Sequence, residues 1–589
     1  MERGRWRDVA AGVLALATGS SYAGHAALGQ ASVPQTRQSA PSFRLKAEPT
    51  TFAKDVAPIV FSACAPCHRP DGAAPFPLLT YQDVRAHAAQ IVAATRARIM
   101  PPWKPEPGYG RFADERRLTS DQIEIIRRWV AGGAVEGDPR QLPPAPAQRG
   151  RWRLGEPDLA LETEPYILKA GGDDVYRNFV LPIGTTGTRY IRAWEFLPGS
   201  RVVHHATMEL DPTRESRRLD EQDPEPGYEG LIPHTAMSPD GYFLGWLPGH
   251  TPYVAPPGMA WQLPTGTDLV MMLHLRPSGT EETVRARLGL YFSSAPPKMN
   301  PTLIRLTRQN LDIPPGERRY VVTDSFALGA DVDVYTIQPH AHHLATEVRS
   351  FATLPDGTRK WLIYIKQWDF DWQGVFRYAR PEFLPAGTTI AMEYTYDNSA
   401  ENPHNPHVPP RKVTYGQRTM DEMAELWLQV VPRRASDRER LAGAVRRKIV
   451  GEEIIGIEKR LEGDPDNVAL HDDVALLHAE TGSLDRTAAH FAQTVRLKPD
   501  SAAAHYNLGN VLYRIGRRAD AIDELKKAVE LKPDYALAHD GLGVALFNEG
   551  RVREAIEHYQ RAVALDPGNA DARYHLAVAL QALERGAGR

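Results

Sequence analysis

The chain has 589 residues, of which 42% are hydrophobic and 24% are charged, and its formal net charge is −3. The length predicts several domains, the composition is that of a soluble globular protein, and the charge gives no reason to expect nucleic acid as a partner. Only two cysteines occur, Cys64 and Cys67, so a disulfide framework is excluded.

The N-terminus predicts export. Three arginines precede the short apolar run Val9–Thr18, and small residues around Ala23 and Ala26 suit cleavage. We predict a signal peptide over 1–26, a linker over 27–48, and a location in the bacterial periplasm. The alternative is an uncleaved signal that holds the protein at the membrane.

The two cysteines belong to a C-x-x-C-H motif. Cys64 and Cys67 are followed directly by His68, which is the attachment pattern of one covalent haem c with the histidine as an iron ligand. A disulfide or a redox pair is the alternative for such spacing.

A second iron ligand is expected further along. Met100 follows the amphipathic segment Tyr81–Arg98, predicted as one helix, and stands before two prolines. The alternative is a methionine that fills a core gap. His87 is a competing ligand, but we expect it in mid-helix, facing solvent. A last helix with Ser120 as its N-cap closes an all-α region, 49–140, that resembles the small cytochrome c domains of exported bacterial proteins.

The middle of the chain reads as short strands. After the Pro/Ala-rich segment 141–148, strand-like runs alternate with Pro/Gly turns up to residue 432. We predict two tandem all-β sandwiches, jelly-roll-like, over 151–300 and 301–432, with a seam near 297–303.

Histidines cluster in this β-region. His340 and His342 stand two residues apart, so a strand places them on one face, about 7 Å apart, and sends His343 to the other. His204 and His205 are adjacent, so they share a metal only if a bulge intervenes or if the rings use different nitrogens. Each pair alone also fits histidines exposed on the surface.

The order of these residues resembles one family. An H-H pair, the lone His274, an H-x-H pair and Met423 in a D-E-M run follow one another as in the copper type II, ascorbate-dependent monooxygenases, which include peptidylglycine α-hydroxylating monooxygenase and dopamine β-monooxygenase. The resemblance covers roughly 170–432. It implies two coppers, whose ligands are His204, His205 and His274 for one, and His340, His342 and Met423 for the oxygen-binding other.

The ligand types agree with copper. Two imidazoles and a thioether favour Cu(I), the state that meets dioxygen, and three imidazoles suit a copper that passes an electron. Zinc also accepts three histidines but has little use for a methionine.

Several positions depart from the family. The β-region has no cysteine, Gln338 replaces the arginine that anchors a peptide carboxylate, and Glu425 and Trp427 replace a further asparagine and tyrosine. We therefore expect no peptide carboxylate as substrate, repulsion of anions by Glu425, and stacking on Trp427. His343 is a candidate for supporting a metal ligand, and no role is expected for His234, His250, His404 and His407.

The C-terminal part repeats every 34 residues. After a helical connector over 433–464, units over 465–585 begin at Pro465, Pro499, Pro533 and Pro567, with the period of tetratricopeptide helix pairs. A protein partner is expected on their concave face. Histidines recur at one register and are read as structural: His471, His505 and His539.

The sequence therefore predicts an exported haem and copper oxidoreductase. The resemblance implies a monooxygenase that hydroxylates a C–H bond of an unknown organic substrate with dioxygen. Its electrons would come from an ascorbate-like donor or a cytochrome- or quinol-linked protein, through the haem. The alternative is a non-catalytic copper-binding, redox-sensing or electron-transfer protein with the repeats as a docking arm.

Overall fold

The computed structural model describes residues 49–69, 74–144, 152–230, 232, 236–239, 241–416 and 418–587. The predicted signal peptide, the linker over 27–48 and His234 lie outside the described residues. From Thr50 onward the chain forms one compact unit. Within the described ranges, no helix is both long enough and apolar enough to cross a membrane.

Short helices form the N-terminal part. A π-helical turn, Phe52–Val56, leads into the first of the four α-helices found in the described residues here, which are α1 (Ala57–Ala63), α2 (Tyr81–Ala86), α3 (Ala88–Arg96) and α4 (Ser120–Ala131). They pack around a small apolar core that includes Phe52, Ile126 and Trp129. These helices alone do not define a cytochrome c fold, so that assignment stays a prediction.

Two local predictions in this part are wrong. The single helix predicted over Tyr81–Arg98 is broken at His87, which ends α2 and precedes α3. The N-cap of α4 is Thr119 and not Ser120, because Thr119 and Gln122 form a reciprocal capping box.

The middle region is β-rich. Its first half contains one short helix, α5 (Glu215–Asp220), and twelve strands in the described residues: β1 (Leu159–Glu162), β2 (Tyr166–Leu168), β3 (Val175–Pro182), β4 (Arg189–Leu197), β5 (Val203–Asp211), β6 (Tyr228–Glu229), β7 (Leu244–Trp246), β8 (Tyr253–Val254), β9 (Trp261–Leu263), β10 (Asp268–Leu275), β11 (Glu282–Val284) and β12 (Arg287–Phe292). The strands of the second half are β13 (Thr302–Thr307), β14 (Asp312–Ile313), β15 (Tyr320–Ala327), β16 (Val332–His340), β17 (Ala345–Thr353), β18 (Arg359–Ile365), β19 (Phe376–Leu384), β20 (Thr389–Tyr396), β21 (Val413–Thr414) and β22 (Glu425–Pro432).

Each half contains two larger antiparallel sheets. In the first half the strand orders are β1-β12-β4-β8, with β9 also on β4, and β6-β3-β10-β5-β7. In the second half they are β13-β22-β16-β19 and β15-β20-β17-β18. Residues from both sheets of a half contribute to one hydrophobic core. In the sequence, the boundary between the two halves lies in the connection from β12 to β13.

The helical part is joined to the second half by more than a linker. Phe112 forms a β-bridge with Tyr378 at the edge strand β19, and Pro105 forms one with Ile365 at the edge strand β18. The Ala113 N–H donates to the Arg377 carbonyl at 2.7 Å. The segment 103–117 therefore pairs with one edge strand of each larger sheet in the second half, and these contacts fix the helical part against that half.

Helices make up the C-terminal part. A long helix, α6 (Arg438–Gly463), precedes seven helices that pack in sequence: α7 (Val468–Glu480), α8 (Leu484–Leu497), α9 (Ala502–Arg514), α10 (Arg518–Leu531), α11 (Ala536–Asn548), α12 (Val552–Leu565) and α13 (Ala570–Ala587). In each of three units the Nε2 of the recurring histidine bonds the carbonyl of the proline that begins the unit, within about 3.1 Å.

Candidate metal centres

Three predicted ligands lie together in the first half. The possible ligand atoms of His204, His205 and His274 are all within 4.8 Å of one another. His274 lies on the central strand β10, opposite His205 on β5, and the pairing shifts there so that the next partner of β10 is Val203. His204 is thus the extra residue of a β-bulge, which turns both adjacent histidines towards His274.

Carboxylates set the orientation of two of these rings. His274 Nε2 lies 2.8 Å from Asp174 Oδ2, and His204 Nε2 lies 3.2 Å from Asp371 Oδ1. Because a carboxylate accepts, each ring donates through Nε2, which leaves Nδ1 as the nitrogen that can bind a metal ion. The bond from His204 lowers the pKa of Asp371 to about 2.

The two Nδ1 atoms face each other at 3.2 Å. Two lone pairs at that distance repel, so either a proton on one Nδ1 makes the contact a hydrogen bond or a metal ion lies between the two atoms. Nitrogen ligands about 2.0–2.1 Å from one metal ion stand roughly 3.3 Å apart, so the pair has the spacing of ligands to a shared ion. Burial lowers the pKa of His205 well below its usual value, which keeps that ring in the neutral form that binds metal.

The second predicted centre lies at the end of β16. The ring centroids of His340 and His342 are 5.3 Å apart and nearly perpendicular. The strand ends at His340, so the prediction that both lie on one strand face is wrong. His342 lies in the connection from β16 to β17. The buried carboxylate of Glu422 holds this connection by accepting hydrogen bonds from the backbone N–H groups of His342 and Leu344.

Hydrogen bonds leave one nitrogen of each of these rings available. His340 Nδ1 bonds the side-chain oxygen of Gln373, and His342 Nδ1 bonds the Asp421 carbonyl at 3.0 Å. Both Nδ1 atoms therefore donate and both Nε2 atoms carry lone pairs. Burial lowers the pKa of His342 to about 3.

Glu422 ties Met423 to this pair. The carboxylate that holds the His342 backbone also accepts from the Met423 N–H at 2.9 Å. The Met423 side chain is buried, and its carbonyl accepts from the Tyr396 hydroxyl at 2.7 Å. The H-x-H turn and the D-E-M segment are thus joined through one carboxylate.

The segment 369–373 touches both histidine groups. The Phe370 ring lies 6.1 Å from the His204 ring, 5.6 Å from the His342 ring and 4.3 Å from the His343 ring, measured between centroids. Asp371 contacts His204 and Gln373 contacts His340. Sequence reasoning missed this segment, because no local motif marks it.

The C-x-x-C-H motif follows α1. Both cysteines are free thiols, and Cys64 is buried. His68 Nδ1 donates to the Phe76 carbonyl at 3.0 Å, which leaves Nε2 with a lone pair. The His87 ring stacks on Phe76, with 3.7 Å between the ring centroids. His87 is therefore half-buried beside His68, and the prediction that it faces solvent is wrong. Met100 is half-buried after α3.

A cavity of about 400 Å³ lies between this motif and the second centre. Pro66 and Arg116 line it on the helical side, and Gln338, Gln373 and Trp427 line it on the β side. Its size is that of a site for a small organic molecule, and Gln373 connects it directly to His340.

The predicted acidic repulsion at this cavity is wrong. The buried Glu425 forms an ion pair with Arg305 and accepts from Trp427 Nε1 at 3.1 Å. The Arg305 guanidinium also lies 4.9 Å from the Trp427 ring centroid. The pair carries no net charge, and one face of Trp427 is already covered.

Other histidines have ordinary surroundings. His407 is buried with both ring nitrogens bonded, one to Arg411 and one to the Met420 carbonyl. His404 is exposed. Burial lowers the pKa of His250, which lines the cavity, to about 4.

The comparisons concern the C-terminal part. The family model "Tetratricopeptide repeat" matches residues 474–536 and the model "TPR repeat" matches 545–583, so this region carries tetratricopeptide repeats, as predicted. Such repeats commonly bind protein partners such as peptides. No curated protein matches the chain.

Solved repeat structures are similar to the same region. MamA is 26% identical, covering 25% of this chain and 76% of that one with a TM-score of 0.22. YrrB, described as a TPR protein with an unusual peptide-binding site, is 25% identical, covering 23% and 71% with a TM-score of 0.22.

Proposed function

We propose that the chain is an exported haem- and copper-containing monooxygenase that hydroxylates a C–H bond of an organic substrate with dioxygen. The observation that carries the proposal is the pair of facing Nδ1 atoms of His204 and His274, 3.2 Å apart, each on a ring held by a carboxylate. This arrangement suits a bound ion better than it suits an empty polar cluster.

The donor sets fit copper at both centres. His204, His205 and His274 offer three imidazole nitrogens, and His340 and His342 offer two more beside the thioether of Met423. Three imidazoles accommodate both copper oxidation states, whereas a thioether selects Cu(I). When bound, the copper held by Met423 supplies the oxygen-activating chemistry.

The C-x-x-C-H residues fit one covalent haem. Cys64 and Cys67 are free for attachment, and the His68 ring presents Nε2. Met100 is the proposed second iron ligand. The Phe76 ring contacts both the His68 ring and the His87 ring, so Met100 rather than His87 would hold the iron together with His68.

The chain's own residues position the centres relative to one another. Lys104, four residues after Met100, pairs with Asp369 at 2.7 Å. Asp369 begins the segment whose next residues contact His204, His340 and His342. The haem-binding part thereby holds the segment that lies between the two histidine groups.

A second connection leads from the motif to β5. Gly249 packs on Cys67 and follows β7, where Trp246 pairs with Ala206 beside His205. The contact with Gly249, three residues of chain, one strand spacing and the step from Ala206 to His205 place Cys67 within about 25 Å of His205. A haem held by Cys67 would therefore lie on the side of the three-histidine centre and would supply electrons to it.

The proposal includes jelly-roll-like sandwiches for both halves. What supports it is that each pair of sheets shares one core and that neighbouring strands are distant in sequence, as in β13-β22-β16-β19. Propeller blades are instead meanders of consecutive strands.

The experiment uses the full chain with reductant, ¹⁸O₂ and a panel of small organic compounds that fit the cavity. A product with one ¹⁸O atom is expected, and Met423→Ala should abolish it. Met420→Ala is the matched control, since Met420 is 53% exposed. Copper binding without any oxygenated product across the panel would favour the alternative, a redox-sensing or electron-transfer protein.

A further inference from the structure

A separate group of metal-ligand types lies where the connector helix meets the first repeat. Ligand atoms of Glu458 on α6, His478 on α7 and His490 on α8 all lie within 4.8 Å of one another. His478 is only 3% exposed, its Nε2 has no hydrogen-bond partner, and it stands 3.4 Å from the Glu458 carboxylate. A buried, unpaired imidazole nitrogen is costly unless something binds it.

The other units lack this combination. One and two periods later, leucines occupy the position of His478 (Leu512 and Leu546), and both are buried. The position of Glu458 is taken by Ala492 and then by Lys526. A leucine therefore satisfies the packing at this register, and packing alone does not explain His478.

Hydrogen bonds show which nitrogen of His490 is available. His471 Nε2 donates to the Pro465 carbonyl at 3.0 Å, which leaves Nδ1 of that ring as the acceptor. His490 Nδ1 lies 3.0 Å from that atom and must donate to it. His490 Nε2 then carries the lone pair and is free to bind a metal ion.

The third unit repeats this arrangement without the other ligands. His539 bonds the Pro533 carbonyl and His558 in the same way, at 3.1 and 3.0 Å. Lys526 acts on His558 as a nearby positive charge. The third unit therefore serves as an internal control. It keeps the histidine pair but has Lys526 and Leu546 at the positions of Glu458 and His478.

We propose that Glu458, His478 and His490 bind one divalent transition-metal ion, with zinc as the best match. Two imidazoles and a carboxylate are a zinc ligand set that leaves a fourth position for water. The side chains must close by roughly 1 Å to reach bonding distances. Glu458 must also compete with Arg486, which is 3.3 Å away and itself exposed.

Such an ion would fix the direction of the repeat array. The connector helix α6 is already held on the second β-half by Lys448, which pairs with Asp324 at 2.7 Å, and by Glu452, which pairs with Arg308 at 2.8 Å. An ion shared by α6, α7 and α8 would join the first helix pair to that anchored helix.

The test is equilibrium dialysis of the full chain against Zn²⁺, with zinc counted per chain by mass spectrometry. Relative to wild type, His478→Leu and Glu458→Ala should each bind one zinc fewer, whereas His558→Gln, the third-unit control, should bind the same number. Zinc held elsewhere cancels in these differences.

His478→Leu introduces the residue that the other units carry, so it should keep the helical circular dichroism of wild type. Zinc should also raise the unfolding temperature of the wild type more than that of His478→Leu. Equal zinc counts in the wild type and either Glu458→Ala or His478→Leu would overturn the proposal, and so would the loss of an ion from His558→Gln.

Discussion

Gly249→Ala tests how the C-x-x-C-H motif packs against the β-region. Gly249 has φ of +85°, and a Cβ built there would strike Arg116 Nη1 and would lie 2.5 Å from Cys67 Sγ. Its carbonyl also accepts from the Arg116 guanidinium at 2.9 Å. A methyl group at this position therefore strikes both the flexible Arg116 side chain, which can move aside, and the packed cysteine to which the haem would be attached.

The expected cost has two parts. An alanine with left-handed φ costs about 1–2 kcal/mol. The added carbon would stand more than ~1 Å inside ordinary contact with the sulfur, and overpacking of this kind costs about 1–3 kcal/mol. Gly279→Ala isolates the first part, because Gly279 has φ of +88° and no atom within 4 Å of the added carbon.

Unfolding of the haem-loaded full chain should be followed through the haem absorbance, so that the signal reports on the helical part of a multidomain protein. Gly249→Ala should be less stable than Gly279→Ala by about 1–3 kcal/mol. Equal destabilisation of the two variants at the haem signal would refute the contact between Cys67 and this loop.

Three further predictions concern the histidine centres. Met423→Ala should lose the copper held by the H-x-H pair and keep the three-histidine copper, and Met420→Ala should keep both, as measured by copper per chain; loss of both coppers from Met423→Ala would contradict the assignment. Protein with reduced haem and oxidised copper should be followed by anaerobic rapid mixing through the absorbance band of the reduced haem. The haem should be oxidised at a rate independent of protein concentration, and this oxidation should be lost in His204→Ala/His205→Ala. A haem that stays reduced beside oxidised copper argues against electron transfer from haem to copper. Burial lowers the pKa of His342 to about 3, so a proton binds this histidine more tightly in the unfolded chain than in the folded one. Hydrogen-exchange protection of the metal-free H-x-H turn should therefore fall as pH drops below about 6.5 and stay constant above it. Constant protection down to pH 5 would contradict this.

The residues that sequence reasoning could find are those with a fixed local spacing. The C-x-x-C-H motif is a short run that contains Cys64, Cys67 and His68, and the repeats can be recognised by their period of 34 residues. The adjacent pair of His204 and His205 needed a bulge to share an ion, and that requirement followed from strand alternation alone.

What the sequence could not supply depends on long-range pairing. Asp174 and Asp371 reach His274 and His204 across 100 and 167 residues, and no local pattern links them. Likewise, Arg305 on the neighbouring strand forms an ion pair with Glu425. The negative charge that the sequence predicts at Glu425 is therefore neutralised in the folded protein.

The junction of the parts was also hidden. The order of segments suggested a haem region tethered by a short linker. Instead, segment 103–117 pairs with β18 and β19 through backbone hydrogen bonds. Such edge pairing has no sequence signature of its own, because almost any extended residues can form it.

The most direct test of the account is a count of iron and copper in the full chain, purified without added chelator and reconstituted with Cu(I). The account predicts one iron and two coppers per chain, with one copper lost from the His204→Ala/His205→Ala variant. A protein that refuses copper while taking zinc tightly at both histidine centres would contradict it.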